Sequence, residues 1–335
     1  MLSMLLCWAL LFPFVATAGP FTELFVFGDS LSDQGNIHSL TGGLVPPNEY
    51  TDGTNYGRFT NGLNYIDGLA ASLGLINLSS SAPGGVHNYA FGGARTDSQS
   101  VGGNPVDKAL SILAQKDLFI SDLVGGSADP NALFVVWAGA NNLIDIVEKA
   151  ANPSYDPTTA LTKAVTDVGT IVGDLAAKGA RNILVPNLPD FGVLPLVTGG
   201  GPQVLGATYL TTVFNSSLGL VLDGVEGFFS NLNIDLNLVR FDTFGLFNAV
   251  LADPAAFGFT NVKNGCYSKF GVAGGTTCAN PDEYVSWDGF HPTAALHSLV
   301  GSRMASAVPE PNIFILIVIG VFSLGVIARR AQKPV

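Results

Sequence analysis

Apolar residues along this chain gather in short blocks, separated by longer stretches with helical spacing. Glu23 to Phe27 (ELFVF) is a brief, largely apolar run that ends at Gly28. Such a run bounded by glycine predicts a buried strand. From Gly62 to Leu73 the apolar positions are Leu63, Ile66, Leu69, Ala70 and Leu73. That is the i, i+3, i+4 spacing of an amphipathic helix, with Thr60 or Asn61 placed to cap it. The same reading gives strands at 86–91, 132–138, 181–185 and 234–241, and helices at 106–123, 158–177, 203–229 and 293–307. Pro186 should end the fourth strand, and the glycine-rich patches at 199–201 and 271–275 read as loops. Alternating strands and helices predict a parallel sheet covered on both faces. No repeat or linker interrupts the pattern, so one domain is expected.

Two apolar stretches stand outside this alternation. Residues 1–18 (MLSMLLCWALLFPFVATA) are apolar from Leu2 to Val15 apart from Ser3, and Ala16-Thr17-Ala18 is a small-x-small cleavage site. They read as a signal peptide cut near Ala18/Gly19. No Lys or Arg precedes the run, so an uncleaved anchor is the alternative. At the other end, 313–328 carries no charge; Val308-Pro309-Glu310-Pro311 precedes it and Arg329, Arg330 and Lys333 follow. The segment is nearly long enough to span a bilayer, and its trailing positive charges should stay cytoplasmic. Residues 19–307 would then lie on the far side of the membrane. The order Pro-Glu-Pro, apolar span, Arg-Arg resembles the PEP-CTERM sorting signal, here 308–335. That resemblance implies a Gram-negative host, exosortase cleavage near the Pro-Glu-Pro, and residence in the cell envelope, on the surface or in the extracellular matrix. A plain C-terminal anchor is the alternative.

The two ends account for part of the high mean hydropathy of +0.38. The chain has 15 Lys+Arg against 26 Asp+Glu, and residues 19–307 alone have 12 against 25. So acidic a surface excludes ordinary nucleic-acid binding, which needs cations for phosphate. Cys7 leaves with the signal peptide. Cys266 and Cys278 remain, and an exported compartment permits a disulfide between them. No His or Cys cluster supplies a zinc site.

In parallel sheets, chemistry gathers at the carboxyl ends of the strands. After the first strand comes Gly28-Asp29-Ser30-Leu31-Ser32-Asp33-Gln34-Gly35-Asn36. Ser30 is placed there as a nucleophile or as a helix cap. After the second comes Phe91-Gly92-Gly93-Ala94-Arg95, where glycines allow close backbone approach to a ligand or a tight turn. After the third comes Gly139-Ala140-Asn141-Asn142, where an Asn amide could donate to an oxyanion or close an Asx-turn. Near the C-terminus, Asp288 and His291 are three apart ahead of a helix, the spacing of a base with its orienting carboxylate.

These blocks, in this order, resemble the GDSL lipase/esterase (SGNH hydrolase) family across most of 21–306. FGDSLSDQGN is the most specific block; Gly57–Gly62 (GRFTNG) and Val185–Asp190 (VPNLPD) also resemble its longer members. The resemblance implies a flavodoxin-like three-layer α/β/α sandwich around a five-stranded parallel sheet. It implies Ser30 as nucleophile, His291 as general base and then acid, and Asp288 as its partner. It implies an oxyanion hole from the Ser30 and Gly93 N–H groups and the Asn141 amide, with Gly92 as the alternative to Gly93. No cofactor or metal is implied. Asp29 is expected to pack or fix the loop rather than move protons. One position departs from the family pattern: Asn142 stands where an Asp is usual, which puts the support of that loop in question. His38 and His87, each near a block, are candidates to line the cleft. His297 is not expected to pair with His291 on a metal, and Trp137 is expected in the core. The resemblance implies an exported serine esterase or lipase acting on a lipid, short-chain ester or acylated glycan. Alternatives are a polysaccharide O-deacetylase or acyltransferase acting on exopolysaccharide, and an inactive surface binding protein.

Overall fold

The structure, a computed structural model, describes residues 21–75, 85–97, 110–150, 152–198 and 202–309. The expected signal peptide, the apolar tail segment, the glycines at 199–201 and the start of the helix expected from 106 lie outside the described residues. Five strands form the central sheet: β1 (Leu24–Gly28), β2 (Val86–Asn88), β3 (Leu133–Trp137), β4 (Asn182–Pro186) and β5 (Asn237–Phe241). Their order is β2-β1-β3-β4-β5, and every pairing is parallel. β3 (LFVVW) is buried at all five positions, as a central strand covered on both faces must be.

Helix placement follows from that order. The chain is α1 (Asn36–Leu40), α2 (Tyr65–Ser72), α3 (Ile112–Asp122), α4 (Ala140–Lys149), α5 (Pro157–Ala177), α6 (Pro195–Thr198), α7 (Pro202–Asn231), α8 (Thr243–Ala252) and α9 (Ala294–Ala307). Right-handed crossovers put α2, which leads from β1 out to β2, on one face. They put α3, α5 and α7, which lead the other way, on the opposite face. Packing agrees: α2 lies against α9, and α5 lies against α3, α4 and α7. This is the expected three-layer α/β/α sandwich. Among the described residues no helix is long and apolar enough to cross a membrane.

Boundaries differ from the sequence reading where side chains decide them. The cap of α2 is Asn64, not Thr60 or Asn61. Its side chain accepts from Ile66 N, while Asp67 accepts from Asn64 N, a reciprocal capping box. Four helices were not expected: α1 and α6, which are short, α4, whose start reads as a loop motif, and α8, whose apolar residues show no helical period. A small parallel pair, β6 (Asn261–Gly265) with β7 (Tyr284–Ser286), was not expected either. The β6 sequence NVKNG is polar and carries no strand alternation.

His297 on α9 lies in the core, stacked on Tyr65, with its Nδ1 unpartnered among the described residues. Burial, aided by the charge of His291, pushes its pKa down to about 3. In the unfolded chain this ring takes a proton near pH 6.5, well before it does in the folded protein. Stability from this group is therefore complete above pH 6.5 and is lost as pH falls toward 3, at up to about 1.4 kcal/mol per pH unit. Asp29, whose pKa burial raises to about 6, acts in the opposite sense, so a difference measurement is required. Urea unfolding at pH 7 and pH 4.5 should show a smaller acid loss for His297→Leu than for the parent chain.

Candidate active site

The first polar block after β1 turns sharply at Asp29-Ser30-Leu31. Asp29 is buried, and its Oδ1 accepts from Leu31 N, fixing the turn that presents Ser30. Three residues on, Asp33 is fully buried and collects four backbone amides. Oδ1 accepts from Gly35 N and Asn36 N; Oδ2 accepts from Ile37 N and from Gly92 N, on the turn after β2. Asn36 donates to the carbonyls of Asn88 and Ala90, and Asn88 donates to the carbonyl of Ser32. The polar residues of FGDSLSDQGN thus bind the Ser30 turn to the glycine turn.

That network distinguishes the two glycines. The Gly92 N–H is spent on Asp33, whereas the Gly93 N–H, at φ +78°, donates to no described group. A Cβ on Gly92 would come within 2.3 Å of the Phe59 ring, so only glycine fits under that ring. Asn141, on the first turn of α4, donates from Nδ2 to the carbonyl of Ala94, beside Gly93. Asn142, the departure from the family pattern, accepts from Thr96 N and donates to Thr96 Oγ1. Asn therefore supports this loop with its own pair of bonds. Arg95 completes the link: its Nε and one terminal nitrogen each reach Asp145 on α4 at 2.6 Å, and its other terminal nitrogen donates to Gly93 O.

Asp288 and His291 meet Ser30 from the turn before α9. His291 Nε2 lies 2.9 Å from Ser30 Oγ, and His291 Nδ1 lies 2.8 Å from Asp288 Oδ2. Asp288 is completely buried. Its Oδ1 accepts from Phe290 N and His291 N, and its Oδ2 also accepts from the hydroxyl of Tyr50 at 2.6 Å. Burial pushes the carboxyl up. The charge of His291, hydrogen bonds from its ring and backbone and the bond from Tyr50 outweigh burial and hold it below its ordinary value. Asp288 is thus an anion in a dry site, held by donors rather than by water.

Sequence reasoning missed what the long stretch between α1 and α2 does. A connection of that length without regular structure is usually functional. Here Phe59 packs against the His291 ring at 5.1 Å, Thr60 donates to Pro292 O, Asn61 accepts from Ala294 N, and Tyr50 reaches Asp288. The GRFTNG block was a visible signal of this; Tyr50 had none. Phe270, in the loop closed by the Cys266–Cys278 disulfide, also stacks on His291. A cleft of about 820 Å³ lies beside it, lined by Leu196, Lys263, Lys269 and Gly289 among others. His38 and His87 do not join the Ser30–His291–Asp288 chain: His38 Nδ1 bonds Pro46 O, and His87 pairs with Glu23 and stacks on Phe25. Trp137 is core, its indole N–H donating to Asn187 O.

Replacing Arg95 by Met should cost about 1–3 kcal/mol in urea unfolding, since it strips the buried Asp145 carboxylate of its main donors. It should also lower kcat with little change in KM, by freeing the Gly93 turn from α4. Unchanged kcat in a destabilised variant would show that the clamp serves the fold alone.

The family model of GDSL-like lipase/acylhydrolases matches residues 24–304. A GDSL esterase/lipase of Arabidopsis thaliana is 29% identical over 321 residues, covering 84% of this chain and 80% of the relative. Esterase EstA of Pseudomonas aeruginosa is 28% identical over 332 residues, covering 88% of this chain but 48% of that longer protein. Among solved structures, an acetyl xylan esterase is similar with a TM-score of 0.45 at 14% identity, over 86% of this chain and 100% of that one. With the family match spanning nearly the whole described body, the chain belongs to the GDSL-like lipase/acylhydrolase family and is a hydrolase of ester bonds.

Proposed function

We propose that this chain is an exported serine esterase or lipase working through Ser30, His291 and Asp288. The continuous hydrogen-bonded chain from Asp288 through His291 to the Ser30 hydroxyl carries this reading. A serine hydroxyl is a poor nucleophile until an imidazole takes its proton. His291 Nε2 is in reach to do so as Oγ attacks the ester carbonyl. The imidazolium that forms is stabilised by the Asp288 anion, and it returns the proton to the leaving alcohol. Water then enters, and the same base hydrolyses the acyl-enzyme.

Negative charge on the tetrahedral oxygen needs preorganised donors. The Ser30 and Gly93 N–H groups and the second hydrogen of the Asn141 amide fill this role. The cleft beside Phe270 gives room for a substrate arm. Among the described residues that line it, Lys263 and Lys269 carry the charge and none is a carboxylate. Export rests on residues 1–18 and on the disulfide, which belongs to an oxidising compartment. The tail 308–335 supports membrane attachment through 313–328 before exosortase processing, at the envelope or surface of a Gram-negative cell. Because such tails accompany exopolysaccharide, deacetylation or acyl transfer on a polysaccharide is the second reading.

Ser30→Ala should lower ester turnover by at least about ten-thousandfold while the protein still melts cooperatively. Asn141→Ala should cost about a hundred- to a thousandfold in kcat. The assay is p-nitrophenol release from acetyl, butyryl and palmitoyl esters, run beside acetate release from an acetylated polysaccharide. Turnover of the small esters that survives in Ser30→Ala would remove Ser30 from the mechanism. Acetate release from the polysaccharide alone would select the second reading.

A further inference from the structure

A feature of the site that the family chemistry does not require is the second side chain on its carboxylate. Tyr50 is fully buried, 238 residues from Asp288 in sequence, and its hydroxyl donates to Asp288 Oδ2, the oxygen that also faces His291 Nδ1. The same hydroxyl accepts from Gly271 N at 2.8 Å. Its proton is therefore directed at Asp288 by an amide on its lone-pair side.

Gly271 lies inside the loop that the Cys266–Cys278 bond closes. Tyr50, Tyr267, Trp287 and Cys266 form a separate small core, with Tyr50 edge-on to both other rings. Tyr267 braces the loop from within, donating to Val272 O and accepting from Gly275 N. Phe270 of the loop covers the His291 ring. The loop thus meets the Ser30–His291–Asp288 chain twice, once on the imidazole face and once, through Tyr50, on the carboxylate.

We propose that Tyr50 is a positioning residue for the Asp288–His291 pair, and that the disulfide-closed loop sets the direction of its hydroxyl. This rests on the reading of Ser30, His291 and Asp288 as the triad. With two donors on Oδ2, the carboxylate cannot rotate away from His291 without breaking a buried hydrogen bond. Burial and the neighbouring Asp288 anion raise the Tyr50 pKa, so its hydroxyl remains a donor at every working pH. The donor also draws charge from Asp288 and so tempers the basicity that Asp288 confers on His291. The titratable groups facing the pair are Asp29 at the end of β1, with Asp33 behind it, His297 on α9, and Tyr50 with Tyr267 behind it. Glu49 and Lys269 act on one another further out.

The test is the pH profile of kcat/KM for Tyr50→Phe, with Tyr284→Phe as control. Tyr284 packs against the same cluster, and its hydroxyl bonds neither Asp288 nor the disulfide-closed loop among the described residues. Tyr50→Phe should lose about ten- to a hundredfold in kcat with KM little changed, the size expected for a hydrogen bond to a charged group. Its acid limb should move to higher pH, because an untempered carboxylate holds the imidazolium proton longer. Tyr284→Phe should keep the parent acid limb. A folded Tyr50→Phe with the parent limb, or equal shifts in both variants, overturns the proposal. If Tyr50→Phe does not fold, 3-fluorotyrosine at position 50 keeps the shape and strengthens the donor. Its limb should then move to lower pH, and an unmoved limb overturns the proposal. Ser30→Ala run in parallel separates failures: activity surviving there refutes the triad, whereas activity lost there with an unmoved Tyr50 profile refutes only the role of Tyr50.

Discussion

A completely buried carboxylate is costly unless donors surround it, and Asp288 has four. Two are the amides of its own turn, one is the imidazole it serves, and one is the hydroxyl of Tyr50. Each donor places a different part of the molecule. The amides fix the 288–291 turn, and the imidazole is left with only its Nε2 edge free to meet Ser30. Tyr50 brings in the disulfide-closed loop and, with it, the long stretch between α1 and α2. Removing the negative charge would leave those donors facing one another in a dry pocket. The arrangement therefore stands only while Asp288 is an anion, the state in which it can stabilise a positive His291.

Asp33 does for the proposed oxyanion side what Asp288 does for the proposed base. It too is buried with four donors, three from the start of α1 and one from Gly92. By taking the Gly92 amide it leaves the Gly93 N–H without an acceptor among the described residues, as the proposed oxyanion role requires. Arg95, Asn141 and Asn142 then tie that turn to α4. Donors aimed in advance need no reorganisation when charge develops, and that is the source of their catalytic value. The fold contributes the frame: β1, β2 and β3 are neighbours in the sheet, so the three blocks that follow them emerge side by side.

The sheet was legible because its strands are short apolar runs and its helices carry a clear period. The residues proposed for the site, Ser30, Gly93, Asn141, Asp288 and His291, each stand in a local block next to a strand or helix end, and the fold brings Ser30, His291 and Asp288 within hydrogen-bond distance. Less visible were the partners that hold those residues. Tyr50 is one tyrosine in a polar stretch, and only the folded chain brings it to a residue 238 positions away. Thr60 and Asn61 looked like caps for α2, yet they grip the turn before α9, because Asn64 satisfies the α2 amides instead. The β6 strand was invisible since it is short, polar and paired only with β7. Local pattern thus picks out the groups proposed to do chemistry, while long-range hydrogen bonding selects the groups that aim them.

The central claim is that Ser30 is a nucleophile activated by His291. Covalent labelling tests it most directly. The body spanning residues 19–307 would be treated with an alkyl fluorophosphonate and digested, and the adduct located by mass spectrometry. The account predicts one adduct, on Ser30, formed quickly by the parent chain and far more slowly by His291→Ala. A folded protein that stays unlabelled, or carries the adduct on another residue, would contradict it.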